Sequence, residues 1–172
     1  GTTIECCSAT AAGGLWVFKA SVVMIGCLLS RCVATVSGYA GILLSDGTLE
    51  LDRSIVANCT TVGWGGGLGV AGGYYGDPTE TASFLMTNSS ITGCLAYAHA
   101  AGFLFSTGTA LVTITDCRIS QCAAEDGYGG GVYSNGGSSV QISRTIIAEC
   151  HALTSSGGVH AIGYIQMSDV YV

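Results

Sequence analysis

From Ile119 to Val159 the chain reads ISQCAAEDGYGGGVYSNGGSSVQISRTIIAECHALTSSGGV, a segment in which one unit occurs nearly twice. Ile119-Ser-Gln-Cys122 returns as Ile147-Ala-Glu-Cys150, and Gly130-Gly131-Val132 returns as Gly157-Gly158-Val159. Working outward, the same cysteine falls at Cys7, Cys32, Cys59, Cys94, Cys122 and Cys150, at intervals of 25, 27, 35, 28 and 28 residues. Three residues before each stands an aliphatic side chain: Ile4, Leu29, Val56, Ile91, Ile119 and Ile147. Seven to nine residues after each comes a glycine: Gly14, Gly41, Gly67, Gly102, Gly131 and Gly158. A fixed period of this size marks a solenoid, in which one unit cannot bury its own apolar face and stacked units complete the core.

Within the unit the pattern is that of strands. Ten residues before the cysteine stand Val22, Leu49, Phe84, Val112 and Val140; eight before stand Met24, Leu51, Met86, Ile114 and Ile142. Ile165 and Met167 continue these columns in a last, partial unit. Polar residues such as Glu50, Asp52, Thr113 and Thr115 alternate with them, and this period of two signals a strand with one buried face. Five before the cysteine is a column of small residues, Cys27, Ser54, Ser89, Cys117 and Thr145. Alternation resumes after the glycine, at Leu15 and Val17 or Ile42 and Leu44. No stretch carries helix caps around an apolar face. Three short strands per unit of about 27 residues predict an all-β, right-handed parallel β-helix of about six coils, with equivalent residues about 4.8 Å apart.

The paired signals I-x-x-C and G-G-[GVL]-[VLI], as in Ile4-Glu-Cys-Cys7 and Gly157-Gly158-Val159, resemble the F-x-x-N and G-G-A-[ILV] repeats of polymorphic outer-membrane proteins and related β-helix surface adhesins. The departure is cysteine where that family places a turn asparagine. The resemblance covers essentially the whole chain and its motifs are structural. It implies an extracellular or cell-surface scaffold, often adhesive, with no catalytic residues to carry over.

Only 16 of the 172 residues are charged, 5 basic and 11 acidic, far below the usual quarter. Even so, no run of about 20 apolar residues spans a bilayer. A net charge of −6 argues against nucleic acid, which calls for a basic stripe. The surface is therefore built of Gly, Ala, Ser and Thr, a composition suited to being covered by neighbouring subunits or by glycan. Residues 1–172 read as one β-helix domain whose two ends each fall within a coil. This suggests either an ordered fragment of a longer solenoid or a subunit that stacks head to tail, since an open coil end exposes unpaired backbone.

Two N-x-[ST] sequons, Asn58-Cys59-Thr60 and Asn88-Ser89-Ser90, are candidate glycosylation sites on outward positions. The column cysteines, on adjacent coils, are close enough for disulfides and are equally suited to a ladder of buried thiols. Cys6, Cys27 and Cys117 lie off that column. No C-x-x-C pair is present and His99, His151 and His160 share no column, so no metal site or cofactor is expected.

Polysaccharide-cleaving enzymes on this fold use clustered carboxylates, with calcium in some. The nearest counterpart is the column of Asp116, Arg144 and Asp169, with Arg53 further along, and it reads as an alternating-sign surface ladder. No catalytic residue is therefore assigned. Aromatic residues offer a contact surface instead. Tyr39, Trp64, His99 and Tyr128 precede the glycine corner, and an outward column reads Trp16, Leu43, Gly69, Leu104, Tyr133, His160. The long third interval places a protruding loop near residues 71–82, with Tyr74 and Tyr75 on it. Trp16, Trp64, Tyr74, Tyr75, Tyr128 and Tyr133 are the candidate contacts to a partner or a sugar. The sequence as a whole points to an extracellular structural or adhesive module that packs against itself or neighbouring subunits. The alternative is a carbohydrate-binding or carbohydrate-cleaving β-helix.

Overall fold

Three parallel sheets wind around one apolar interior in the computed structural model, which describes residues 1–36, 38–72, 81–105 and 109–172. The first sheet stacks Thr3–Glu5, Leu28–Ser30, Ile55–Ala57, Ser90–Thr92, Arg118–Ser120 and Ile146–Ala148. Its register sets Ile4, Leu29, Val56, Ile91, Ile119 and Ile147 one above another, the aliphatic column of the repeat. Those pairings carry the chain through five turns, and each sheet is six layers deep, close to the six coils expected.

The largest sheet holds the two alternating segments. Leu49, Phe84, Val112 and Val140 pair in register and are buried, as are Leu51, Met86, Ile114 and Ile142. The Phe84 and Phe103 rings meet at 5.0 Å between centroids, a tilted pair in the middle of the core.

The three strands of a coil are partitioned differently from the sequence expectation. The strand after the glycine and the strand ahead of the cysteine run together as Leu15–Ile25, Ile42–Asp52, Val132–Ser143 and Val159–Ser168. Left-handed residues inside two of them, Lys19 at φ 48 and Asp46 at φ 58, turn the backbone without ending the pairing. In the two middle coils the halves are separate strands, Leu68–Ala71 with Thr81–Thr87 and Phe103–Phe105 with Thr109–Thr115. The third sheet is instead a stack of two-residue strands just after the cysteine: Ser8–Ala9, Val33–Ala34, Thr60–Thr61, Leu95–Ala96, Ala123–Ala124 and His151–Ala152. Its inward column is Ala9, Ala34, Thr61, Ala96, Ala124 and Ala152. A two-residue strand carries no period, which is why alternation does not reveal it.

Two corners of every coil share one construction. The residue before each column cysteine is left-handed: Cys6, Arg31, Asn58, Gly93, Gln121 and Glu149 have φ of 52, 53, 54, 63, 56 and 56°. So is the residue before the small column: Gly26, Arg53, Asn88, Asp116, Arg144 and Asp169, at 60, 47, 49, 55, 45 and 53°. That conformation disfavours side chains other than glycine. At each of these corners except the one after Asp169, the next residue donates from its side chain to the carbonyl two residues back. Sγ of Cys7, Cys32, Cys59, Cys94, Cys122 and Cys150 reaches the oxygens of Glu5, Ser30, Ala57, Thr92, Ser120 and Ala148 at 3.5, 3.4, 3.3, 3.5, 3.2 and 3.4 Å. At the other corner Ser54 Oγ donates to Asp52 O at 2.9 Å, Ser89 Oγ to Thr87 O at 2.6 Å and Thr145 Oγ1 to Ser143 O at 2.8 Å. Cys27 and Cys117, off the main column, do the same with their thiols. The Ser and Thr hydroxyl oxygens also accept from the preceding coil, as when the Ser54 N–H donates to Ser89 Oγ at 2.9 Å.

Two substitutions separate core from corner. Ile91→Ala, at a site with no exposure, is expected to lower unfolding free energy by about 2–5 kcal/mol. Ser89→Ala strips Thr87 and Ser54 of a hydrogen-bond partner in a buried corner and is expected to cost about 1–3 kcal/mol. Urea unfolding of both, with the exposed Leu111→Ala as the reference near zero, checks the ranking.

Candidate functional site

The outward face around the glycine corner exposes large apolar side chains, among them Trp16, Trp64 and Tyr128. Strand register aligns Trp16, Leu43, Gly69, Leu104, Tyr133 and His160. Bridges pair Ala12 with Tyr39 and Trp64 with His99 just ahead of the glycines, so two aromatic columns lie beside each other. They do not form one uniform ladder. Tyr39 is buried, not outward, because its ring lies flat across Gly65 and Gly69, where any Cβ would overlap it.

That inward turn of Tyr39 opens a groove of about 410 Å³ whose lining includes Trp16, Val36, Tyr39, Leu43, Val62 and Trp64. Trp16 and Trp64 are 45% and 50% exposed, so each presents much of an indole to solvent. Trp16 is oriented by its Nε1–H, which donates to Ser45 Oγ at 3.2 Å, and Phe18 stands beside it at 6.1 Å between ring centroids. Val36 and Val62 escape the sequence reading because they follow the two-residue strand, where no periodicity flags an outward position. Further along the axis the two columns merge into a cluster. His99 stacks on Tyr128 and Tyr133 at 5.2 and 5.7 Å, and His160 sits 5.1 and 5.5 Å from the same two rings. Tyr133 is buried there, which raises its phenol above the ordinary value. Ser155 Oγ lies 2.9 Å from Nδ1 of His160. The structure thus brings Trp16 and Trp64 together at one end of the face and Tyr128 and Tyr133 at the other. Tyr74, Tyr75 and most of the loop expected at 71–82 lie outside the described residues.

The charged column is a surface feature. Arg144 grips Asp116 through Nε and a terminal nitrogen at 2.7 and 2.8 Å, both side chains exposed, and this pairing holds the carboxyl below the usual range. Arg53 donates to Asp52 at 2.9 Å, and Arg31 pairs with Glu5 at 3.0 Å. All of Arg53, Asp116, Arg144 and Asp169 are the left-handed corner residues described above. Among the described residues no three His, Cys, Asp or Glu side chains gather as a metal site would need. Among the described residues no helix is long and apolar enough to cross a membrane.

In the structure all nine cysteines are free thiols, and those of the column stack as a thiol ladder. Burial pushes the Cys32 thiol up to about 11. Cys94 is held well above its ordinary value by hydrogen bonds with Cys122 and Cys59 and by burial.

The model of one family, described as the right handed beta helix region, matches residues 1–166. No curated protein and no solved structure matches the chain.

Two measurements follow from the thiols. In the native state only the exposed Cys6 is expected to react quickly with a maleimide, all nine should react in denaturant, and reductant should leave Tm unchanged. A raised thiol pKa in the fold means the native state keeps its proton while the unfolded chain ionises above about pH 9. The share that Cys32 contributes is therefore complete below pH 9 and is lost toward pH 11, read as a fall in the urea midpoint between pH 7 and pH 10.

Proposed function

Because the chain belongs to the right-handed β-helix family, we propose that it works as a rigid structural and adhesive module of an extracellular or cell-surface assembly. The observation that carries this reading is the exposed Trp16 and Trp64 pair, set in an apolar groove on a scaffold whose layers are stacked without interruption. Large aromatic faces held on rigid strands give contact area at little cost in conformational freedom. The partner surface is a neighbouring subunit or a glycan that lies against the indole faces. The mechanism is mechanical: strand ladders supply stiffness, thiol and hydroxyl corners hold the coils, and the aromatic stripe supplies adhesion.

A second reading, a carbohydrate-binding or carbohydrate-cleaving β-helix, draws support from the same tryptophans, since indole faces suit the apolar faces of sugar rings. Cleavage finds less support. The best-placed carboxylate, Asp116, is engaged by Arg144 on both oxygens.

The test is a binding survey of the purified chain, against itself by sedimentation and against immobilised neutral and acidic polysaccharides. Trp16→Ala with Trp64→Ala is expected to weaken whichever contact is found by at least tenfold, with Tm retained because both side chains are half exposed. Depolymerisation of an acidic polysaccharide that Asp116→Ala abolishes would replace the structural reading by the enzymatic one.

A further inference from the structure

The two sequons are not equivalent in the folded chain, and the difference lies in what each asparagine side chain already does. Asn88 and Asn58 both occupy left-handed corners, at φ 49 and 54°, a conformation asparagine tolerates better than most residues. Asn88 also has a structural role there. Its Nδ2 donates to Asp52 Oδ1 at 3.3 Å, the same oxygen that accepts from Thr87 Oγ1 at 3.1 Å. Its neighbours along the corner column are Arg53 and Asp116, which put charged side chains on either side of it. A sugar on Nδ2 of Asn88 would have to share this crowded, already bonded amide.

Asn58 is placed differently. Both asparagines are exposed, but among the described residues the Asn58 side chain makes no hydrogen bond. The next residue along its column is Gly93, and Asn58 Oδ1 lies 2.5 Å from where a Cβ there would stand. Glycine at that layer therefore makes room for the Asn58 carboxamide, whose oxygen lies where a side chain would stand. The third sequon position, Thr60, is the first residue of a two-residue strand and is half-buried, so its removal leaves the corner itself untouched.

We propose that Asn58 is an N-glycan acceptor and that Asn88 is a structural asparagine that carries none. The inference rests on the extracellular placement proposed above. In the modification, Nδ2 of Asn58 loses one hydrogen as a proton and bonds to the anomeric carbon of an oligosaccharide. The donor is a polyprenyl-diphosphate-linked sugar, whose anomeric carbon–oxygen bond breaks as the polyprenyl diphosphate leaves with the electron pair. No oxidation or reduction is involved.

The experiment is to direct the full chain into the secretory pathway of a eukaryotic host with a cleavable signal. That makes acceptor competence independent of where the native protein resides. Intact mass is read before and after peptide-N-glycosidase treatment, and the former acceptor is located as a new aspartate by peptide mapping. The expected result is one occupied site at Asn58. Thr60→Ala, which keeps Asn58 in its corner, is expected to abolish the mass shift, and Ser90→Ala is expected to leave it unchanged. A secreted chain with no glycan, or with glycan at Asn88 alone or at both sites, overturns the proposal. Loss of glycan with partner binding intact, or the reverse, keeps this inference separate from the adhesive reading.

Discussion

Every coil depends on a turn made by one left-handed residue followed by one small donor. The left-handed residue redirects the backbone sharply, and it does so at a cost when it is Arg, Asp, Gln or Glu. The following thiol or hydroxyl then closes the turn onto the carbonyl two residues back, as Cys122 does onto Ser120 and Ser89 onto Thr87. The same carbonyl also accepts a backbone N–H from the preceding coil, as Ser120 O does from Gly93 and Thr87 O from Arg53, so the donor engages its second lone pair. The columns on either side, Ile91 with its neighbours and Met86 with its neighbours, can only stack if the corners recur at the same place in each layer.

Cysteine suits this position on two counts. A thiol is small and apolar enough to be buried without exposure at Cys32 and Cys59, yet it still donates a weak hydrogen bond. At the second corner Ser54, Ser89 and Thr145 stand beside Cys27 and Cys117, and there the hydroxyl oxygen also receives a backbone N–H from the preceding coil.

Much of this was legible in the sequence, because a repeat prints the same environment six times. The aliphatic position three before each cysteine, and the pair at ten and eight before, fell in register as the spacing implies. The stack of two-residue strands was not legible, since Ala-Ala at 123–124 has neither period nor bulk to mark it. Nor was the burial of Tyr39, which depends on glycine in the layer above, at Gly69, a relation between residues thirty positions apart that no local pattern contains. The aromatic columns were visible as columns. Their merging around Tyr133 and His160 was not, because it is set by ring orientation and not by backbone position. Whether the column holds thiols or bridges was open in the sequence, as the same spacing permits either.

The layers are joined by hydrogen bonds that run along the solenoid axis, while the covalent chain crosses from one layer to the next only once per coil. Compression along the axis is therefore borne by stacked side chains and all three ladders together. Tension applied at the two termini acts differently. It reaches one outermost strand at a time and would peel the end coil from the next, releasing about 90 Å of chain for each 27-residue unit. A scaffold built this way is stiff under thrust and yields in steps under pull, so a tether of this kind would dissipate load coil by coil before it parted.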